Sequence, residues 1–237
     1  MEWIECRDID DINLRAERLL AEALSAAIDR KGSATLTLSG GSTPKALYRL
    51  LARTAPGGLP WEEIHLLWGD ERAVPASSPD SNYRLADDAL LSTLHLPEEN
   101  VHRIRTELGP SKAALDYEGV VLRLCGGPVP ALDVVLLGMG PDGHTASLFP
   151  GSPQLHSDSL VAACPPAPLP PQVERVTMTF SLLNSAALVL FLVDGGNKRA
   201  VAEAIRDHKP EATHYPASLI RPAGRLVWLV HMPADDE

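Results

Sequence analysis

The distribution of apolar and polar positions along the chain alternates between two patterns. Short continuous apolar runs, typical of strands buried on both faces of a sheet, occur at residues 34–38, 64–68, 132–137, 175–180, 188–193 and 225–230, with a shorter candidate at 159–163. Segments typical of helices, the first with apolar positions near a 3.6-residue period, occur at residues 13–30, 44–53, 82–91, 111–124 and 197–206.

Apolar strands that alternate with helices predict a mainly parallel sheet covered by helices on both faces. The predicted fold class is therefore α/β and Rossmann-like, and we expect residues 1–237 to form a single domain. In sheets of this kind, ligands bind beyond the carboxyl ends of the strands. Three polar, glycine-rich loops follow three of the apolar runs, so these loops are the first place to search for a site.

The first of these loops, residues 39–44, leads from a strand into a helix. Gly41 frees the backbone, Ser42 or Thr43 can cap the helix, and Pro44 favours its first turn. Exposed N–H groups, hydroxyls and the helix dipole together suit a phosphate. An ordinary strand-to-helix turn with a good N-cap would look the same, so both interpretations stay open here.

The second loop follows the run at 64–68 and contains Asp70 and Arg72. An arginine can direct two parallel hydrogen bonds at a phosphate, which makes Arg72 a candidate for anion binding. The alternative is a solvated loop with a local ion pair, since exposed pairs are common and contribute little.

The third loop follows the run at 132–137 and combines glycines with a titratable pair, Asp142 and His144. Histidine is the side chain best suited to move a proton near pH 7, so His144 is the candidate catalytic base. Residues 138–143 also match the GxGxxG pattern of dinucleotide sites, but Pro141 would lie in the phosphate turn. Zinc would need a third ligand that is not apparent, and an ordinary loop histidine is the remaining alternative.

Three further cations are lesser candidates. Lys198 begins a helix, where a cation gains nothing from the helix dipole, so a ligand contact is the more plausible role. Arg175 precedes a strand and could simply be solvated, and for Arg221 a structural role is as plausible as a functional one.

Composition and charge narrow the possible partners. Lysine and arginine number 21 against 31 aspartates and glutamates, so the net charge is 21 − 31 = −10. Nucleic acid and anionic membranes need a basic face, so neither is an expected partner. No apolar run approaches the roughly 18 residues of a membrane helix. The start of the chain lacks the features of a signal peptide, and three dispersed cysteines form no CxxC motif. We therefore expect a reduced, cytoplasmic protein that is a monomer.

Four motifs in the same order resemble a known family. They are LSGGSTP, WGDERAVPASSPDSNY, LLGMGPDGHTASLFPG and RVTMTFSLLN, which begin at residues 38, 68, 136 and 175. Together they are similar to the 6-phosphogluconolactonase branch of the glucosamine-6-phosphate isomerase/6-phosphogluconolactonase family, over residues 15–230. The resemblance implies a glucosamine-6-phosphate deaminase-like fold and hydrolysis of 6-phospho-D-glucono-1,5-lactone in the pentose phosphate pathway.

The resemblance also implies roles for individual residues. His144 would activate water against the lactone carbonyl, while Asp142 and Asp70 would line the site and orient the base or the water. The substrate phosphate would be held by residues from several loops, namely Gly41, Ser42, Thr43, Arg72 and Lys198, with Arg221 as a secondary candidate. The family position of Arg175 has no assigned contact. The partner would be a sugar-phosphate lactone, and neither a metal nor another cofactor is expected.

Three other functions remain as alternatives. A sugar-phosphate deaminase or isomerase on the same fold would carry a glutamate five residues after the histidine, and Phe149 stands there instead. A non-catalytic sugar-phosphate sensor would keep the phosphate residues without needing His144. A GxGxxG oxidoreductase is a more distant possibility.

Overall fold

The computed structural model describes residues 1–54, 58–94, 96–126 and 130–233. Its strands are β1 Glu2–Glu5, β2 Ala34–Leu38, β3 Ile64–Trp68, β4 Asp70–Arg72, β5 Val134–Leu137, β6 Val161–Cys164, β7 Arg175–Met178, β8 Leu188–Asp194 and β9 Arg225–His231. Six of them form the main sheet in the order β1-β9-β8-β5-β2-β3. Every neighbouring pair in it is parallel, which confirms the predicted fold class.

The helices are α1 Ile9–Lys31, α2 Ser42–Thr54, α3 Asn82–Ala86, α4 Pro110–Cys125, α5 Phe180–Leu183 and α6 Arg199–Arg206. Helix α1 begins four residues earlier than predicted, because the Asp8 side chain accepts a hydrogen bond from the Asp11 N–H and so caps the first turn. Gly32, at φ 79°, ends the helix in the left-handed conformation that glycine adopts without strain. The buried face of α1 packs against β2, β8 and β9.

Two predicted segments change type within their length. The helix predicted at 82–91 is α3 followed by a π-helical turn at Asp87–Leu91. The strand predicted at 175–180 ends at Met178, since Phe180 already begins α5.

The sequence pattern does not predict strand β1. It is a short edge strand paired with β9, and its Trp3 ring stacks on Trp228 with the ring centroids 5.4 Å apart.

A second sheet, which the sequence did not predict, lies beside the main one. It is antiparallel, with the order β4-β7-β6, and β4 begins immediately after Gly69, the residue that follows β3. In its register Asp70 is opposite Thr177, and Arg72 is opposite Arg175. The small sheet therefore brings two arginines and an aspartate to the carboxyl end of β3.

The main sheet has a topological switch point between β2 and β5. From β2 the chain continues through α2 to β3 on one side, whereas from β5 it continues to β8 and then β9 on the other. The connections diverge there, and they leave a crevice beyond the carboxyl ends of the two strands. Among the described residues, no helix is both long and apolar enough to cross a bilayer.

Candidate active site

A cavity opens at this switch point, and four strand-end loops line it. Gly41, Ser42 and Thr43 come from the loop after β2, and Asp70 and Arg72 from the residues after β3. His144 comes from the loop after β5, and Lys198 from the loop after β8. The remaining lining includes residues that the sequence did not assign to the site, among them Asn82, Ala146 and Arg175. Chemistry-bearing residues separated by more than 150 positions in sequence thus meet in one place.

The imidazole of His144 is hydrogen-bonded to Asp142 on the side of Nδ1. The distance from Nδ1 to Asp142 Oδ1 is 2.5 Å, and the same carboxylate oxygen accepts the His144 backbone N–H at 3.2 Å. With the ring proton on Nδ1 donated to the carboxylate, the lone pair on Nε2 is available to accept a proton. Asp142 itself stands behind the imidazole and does not line the cavity among the described residues.

The carboxyl group of Asp142 stays ionised in this arrangement. Burial by itself would raise its pKa, but the hydrogen bond and charge of His144, together with backbone N–H groups, lower the pKa below its ordinary value. The hydrogen bond between His144 and Asp142 requires a glycine at position 140. A Cβ on Gly140 would lie 2.1 Å from Nδ1 of His144. The Gly140 N–H also donates to the His144 carbonyl, at 2.9 Å.

Asp70 is a buried carboxylate, 5% exposed, that lines the same cavity. Its Oδ2 accepts a hydrogen bond from the Ser147 hydroxyl at 2.6 Å, and its Oδ1 accepts one from the Asn82 amide at 3.1 Å. Arg175 Nη1 lies 4.0 Å from Oδ2. Asp70 therefore links the loops after β3 and β5 through its two oxygens.

Glu71 organises the loop that carries Asp70 and Arg72, and sequence reasoning missed it. Its carboxylate, 3% exposed, accepts four hydrogen bonds. The donors, at distances between 2.7 and 2.9 Å, are the Arg72, Asn82 and Tyr83 N–H groups and the Ser81 hydroxyl. Burial raises the pKa of Glu71, and these four donors oppose that shift by favouring the ionised form.

The contacts of Glu71 also fix Asn82, whose amide reaches both the side chain and the carbonyl of Asp70. A Cβ at Gly40 would lie 2.0 Å from Asn82 Oδ1, so only glycine allows this approach between the first and second loops. The Ser81 N-cap could have been found from the sequence. Its carboxylate partner ten residues upstream could not, because such a contact depends on the turn of the chain at β4.

Three cations surround the cavity. Arg72 is held by a hydrogen bond from Nη1 to the Asp80 carbonyl, at 2.8 Å, which leaves donors free to face a ligand. Burial lowers the pKa of Lys198, and the Asp194 carboxylate opposes that shift. Arg175, 4% exposed, is the cation whose contact the sequence left unassigned, and burial lowers its pKa while Asp70 opposes the shift. The cavity is thus a local cationic site in an acidic protein.

Arg221 lies outside this cavity. Its backbone N–H donates to Asn184 Oδ1 at 2.7 Å, and the residue lines a separate apolar cavity with Ile220, Leu226 and Trp228. That cavity lies beside the first half of β9, whereas the candidate active site lies at the carboxyl ends of β2, β3, β5 and β8. Arg221 is therefore left out of the phosphate site proposed below.

The described part of the chain contains no group of three or more His, Cys, Asp or Glu side chains placed to hold a metal ion. The pair His144 and Asp142 uses its facing atoms on each other.

Comparison with known proteins identifies the family of this chain. The family model described as glucosamine-6-phosphate isomerases/6-phosphogluconolactonase matches residues 7–228. This chain belongs to that family. The resemblance of the four motifs is thereby confirmed, and the match extends over nearly the whole chain.

Relatives within the glucosamine-6-phosphate isomerase/6-phosphogluconolactonase family are similar over most of this chain. A 6-phosphogluconolactonase of Synechocystis sp. is 41% identical over 227 residues, covering 94% of this chain and 92% of the relative. The crystal structure of 6-phosphogluconolactonase from Thermotoga maritima has a TM-score of 0.85 at 32% identity, covering 97% of this chain and 99% of that one. A monomeric glucosamine-6-phosphate deaminase, at 22% identity and a TM-score of 0.80, shares the fold.

The four hydrogen bonds of Glu71 predict a loss of stability on substitution. In Glu71→Gln an amide group replaces one carboxylate oxygen and faces two donors, so buried N–H or O–H groups lose their acceptor. Each such group costs about 1–3 kcal/mol, so with two donors we expect the free energy of unfolding to fall by about 2–6 kcal/mol. Urea unfolding measures this change. Glu107→Gln, which removes an exposed ion pair with Arg103, is the matched control and should cost under about 1 kcal/mol. Equal losses in the two variants would contradict the assigned role.

Proposed function

We propose that this protein hydrolyses 6-phospho-D-glucono-1,5-lactone to 6-phospho-D-gluconate, the second step of the oxidative pentose phosphate pathway. Membership of the family and the names of relatives that match more than nine tenths of this chain support the substrate class. The observation that carries the mechanism is the imidazole of His144, which faces the cavity with Nδ1 bonded to Asp142.

The phosphate end of the substrate binds at the start of α2. The N–H groups of Gly41, Ser42 and Thr43 and the dipole of a 13-residue helix favour an anion there. Arg72 and Lys198, which line the same cavity, add two cations. Because the phosphate is remote from the reacting carbon, its binding energy can fix the lactone in the orientation that the reaction needs.

The lactone end lies against His144. Nε2 accepts a proton from a water molecule as the water oxygen bonds to the lactone carbonyl carbon, and the carbonyl becomes an oxyanion. When the oxyanion collapses, the bond from the carbonyl carbon to the ring oxygen breaks, and the imidazolium returns the proton to that oxygen. Asp142 keeps the imidazole in the required tautomer throughout. The N–H of Gly140 is already donated to the His144 carbonyl, so this amide does not serve the oxyanion.

Water and one general base suffice because a lactone is an activated ester, so neither a covalent nucleophile nor a metal is part of the proposal. Asp70, which lines the same cavity, orients the water and contacts sugar hydroxyls.

Phosphate recognition by Arg72 predicts a loss of substrate discrimination in Arg72→Ala. A hydrogen bond to a charged group contributes about 1.5–3 kcal/mol, so KM for the phosphorylated lactone should rise about 10- to 100-fold. The preference over the unphosphorylated lactone should shrink by a similar factor. Arg84→Ala, which removes an exposed pair with Asp88, is the control and should leave both values unchanged. A retained preference in Arg72→Ala would refute the phosphate assignment.

General-base catalysis by His144 predicts that His144→Asn lowers kcat by about 10²–10⁴-fold with little change in substrate affinity. Activity of the unmodified protein should also fall on acidification, since a protonated imidazole accepts no further proton. The uncatalysed hydrolysis rate must be subtracted from every measurement.

An exposed histidine, His214, provides the control, and His214→Asn should behave like the unmodified protein. Near-normal kcat in His144→Asn would show that the base lies elsewhere, with Asp70 the next candidate. A lowered kcat in Asp142→Asn, with phosphate affinity intact, would support the orienting role of Asp142.

A reaction without metal predicts that lactonase activity survives exhaustive treatment with EDTA. The observation behind it is that no third ligand accompanies Asp142 and His144 at usable spacing in the sequence. Activity is measured before and after dialysis. Loss of activity that zinc restores would contradict the prediction.

A further inference from the structure

The ring of Phe149 lies directly against the proposed base. Its centroid is 4.4 Å from that of the His144 imidazole, with 32° between the planes. Phe149 is 5% exposed and is not among the described residues that line the cavity. It therefore stands behind the imidazole and cannot act on the substrate itself.

The same ring contacts a second side chain that lines the cavity. The guanidinium carbon of Arg175 lies 5.5 Å from the Phe149 centroid, within the range of a cation–π interaction. The other contacts of this guanidinium are sparse: Nη2 donates to the Pro171 carbonyl at 3.2 Å, and Nη1 is 4.0 Å from Asp70. Its Nε has no hydrogen-bond partner in the described part of the chain. The aromatic face is thus a substantial part of what holds this buried cation.

The backbone between His144 and Phe149 is a tight reversal that places the ring. Thr145 and Leu148 exchange backbone hydrogen bonds, and the Thr145 hydroxyl donates to the Gly138 carbonyl at 2.8 Å. The Ser147 hydroxyl bonds to Asp70. Phe149 is therefore fixed from both sides of the cavity and provides a rigid surface for the imidazole.

One hydrogen bond does not fix an imidazole. The imidazole can still turn about its Cα–Cβ and Cβ–Cγ bonds, and a single contact from Nδ1 to Asp142 restrains these torsions without fixing the plane of the ring. A change in that plane moves Nε2 relative to the lactone carbon. We propose that Phe149 is a positioning residue, whose ring holds the His144 imidazole in its working orientation. Its consequence for catalysis rests on the proposed function.

The ring also suits the charge that appears during the reaction. When His144 has taken the proton from water, the imidazolium lies on an aromatic face, which attracts cations through its quadrupole. A leucine in the same space would fill part of the volume without this attraction and without a flat surface. The positioning role therefore predicts an effect on kcat rather than on binding of the phosphate.

The test compares Phe149→Leu with Phe191→Leu in the full-length protein. Phe191 is equally aromatic and buried, but stacks on Trp228 in the sheet interior with the centroids 3.8 Å apart. Steady-state kinetics on 6-phosphogluconolactone give kcat and KM. NMR gives the carbon-bound ring protons of His144, identified by their absence in His144→Asn. The NMR readout needs no substrate, so it tests the positioning role separately from the proposed function.

We expect kcat of Phe149→Leu to fall about 10- to 100-fold, as a small misplacement of a catalytic group does. KM should stay within about threefold, because only transition-state interactions are lost. In the unmodified protein, the His144 ring signals should be displaced by the Phe149 ring current, and this displacement should disappear in Phe149→Leu. Phe191→Leu should retain kcat and the His144 signals.

The proposal is overturned if Phe149→Leu retains kcat, or if its loss is matched by Phe191→Leu. It is also overturned if the His144 signals of the unmodified protein show no ring-current displacement. This measurement needs only the unmodified protein, so it tests the proposal even if Phe149→Leu does not fold. An unmodified protein with displaced signals and no lactonase activity would instead contradict the proposed function and leave the contact established.

Discussion

The parallel pairing of β2 with β5 is the constraint on which the rest of the molecule depends. Leu36 is paired with Val134, and Thr37 with Val135, and from these two strands the chain turns to opposite sides of the sheet. No connection can cover the carboxyl ends at that point, so a crevice forms and every neighbouring loop ends beside it. The helix start proposed to bind an anion, the proposed base and the buried aspartate are brought together by this one feature of topology.

The crevice is lined by cationic side chains, whereas the whole protein carries a negative net charge. The chain carries a net charge of −10, yet Arg72, Arg175 and Lys198 line one cavity. Burial lowers the pKa of Arg175 and of Lys198, because desolvation disfavours their charged forms more than the nearby Asp70 and Asp194 carboxylates favour them. An anionic ligand would relieve that penalty. A sugar phosphate therefore fits this cavity, where three of the 21 lysines and arginines of an acidic protein meet.

The sequence was a good guide to features that depend on local pattern. Continuous apolar runs predicted the parallel strands, and glycine-rich strand ends predicted the loops that carry Ser42, Asp70 and His144. Contacts that depend on how distant segments meet could not be predicted. The three-residue strand β4 is too short to show a period, and the four donors to Glu71 converge only after the chain turns there. Arg221 remained a secondary phosphate candidate, because the sequence does not show which end of a strand faces the crevice.

The central claim is that this crevice binds a phosphorylated lactone and hydrolyses it with His144 as the base. Its most direct test is acid release from freshly prepared 6-phosphogluconolactone, measured in a pH-stat with the spontaneous rate subtracted. The same measurement on the unphosphorylated lactone provides the comparison. The account predicts strong acceleration for the phosphorylated lactone and a much lower kcat/KM for the other. A rate no higher than the spontaneous one, or equal kcat/KM for both lactones, would contradict it.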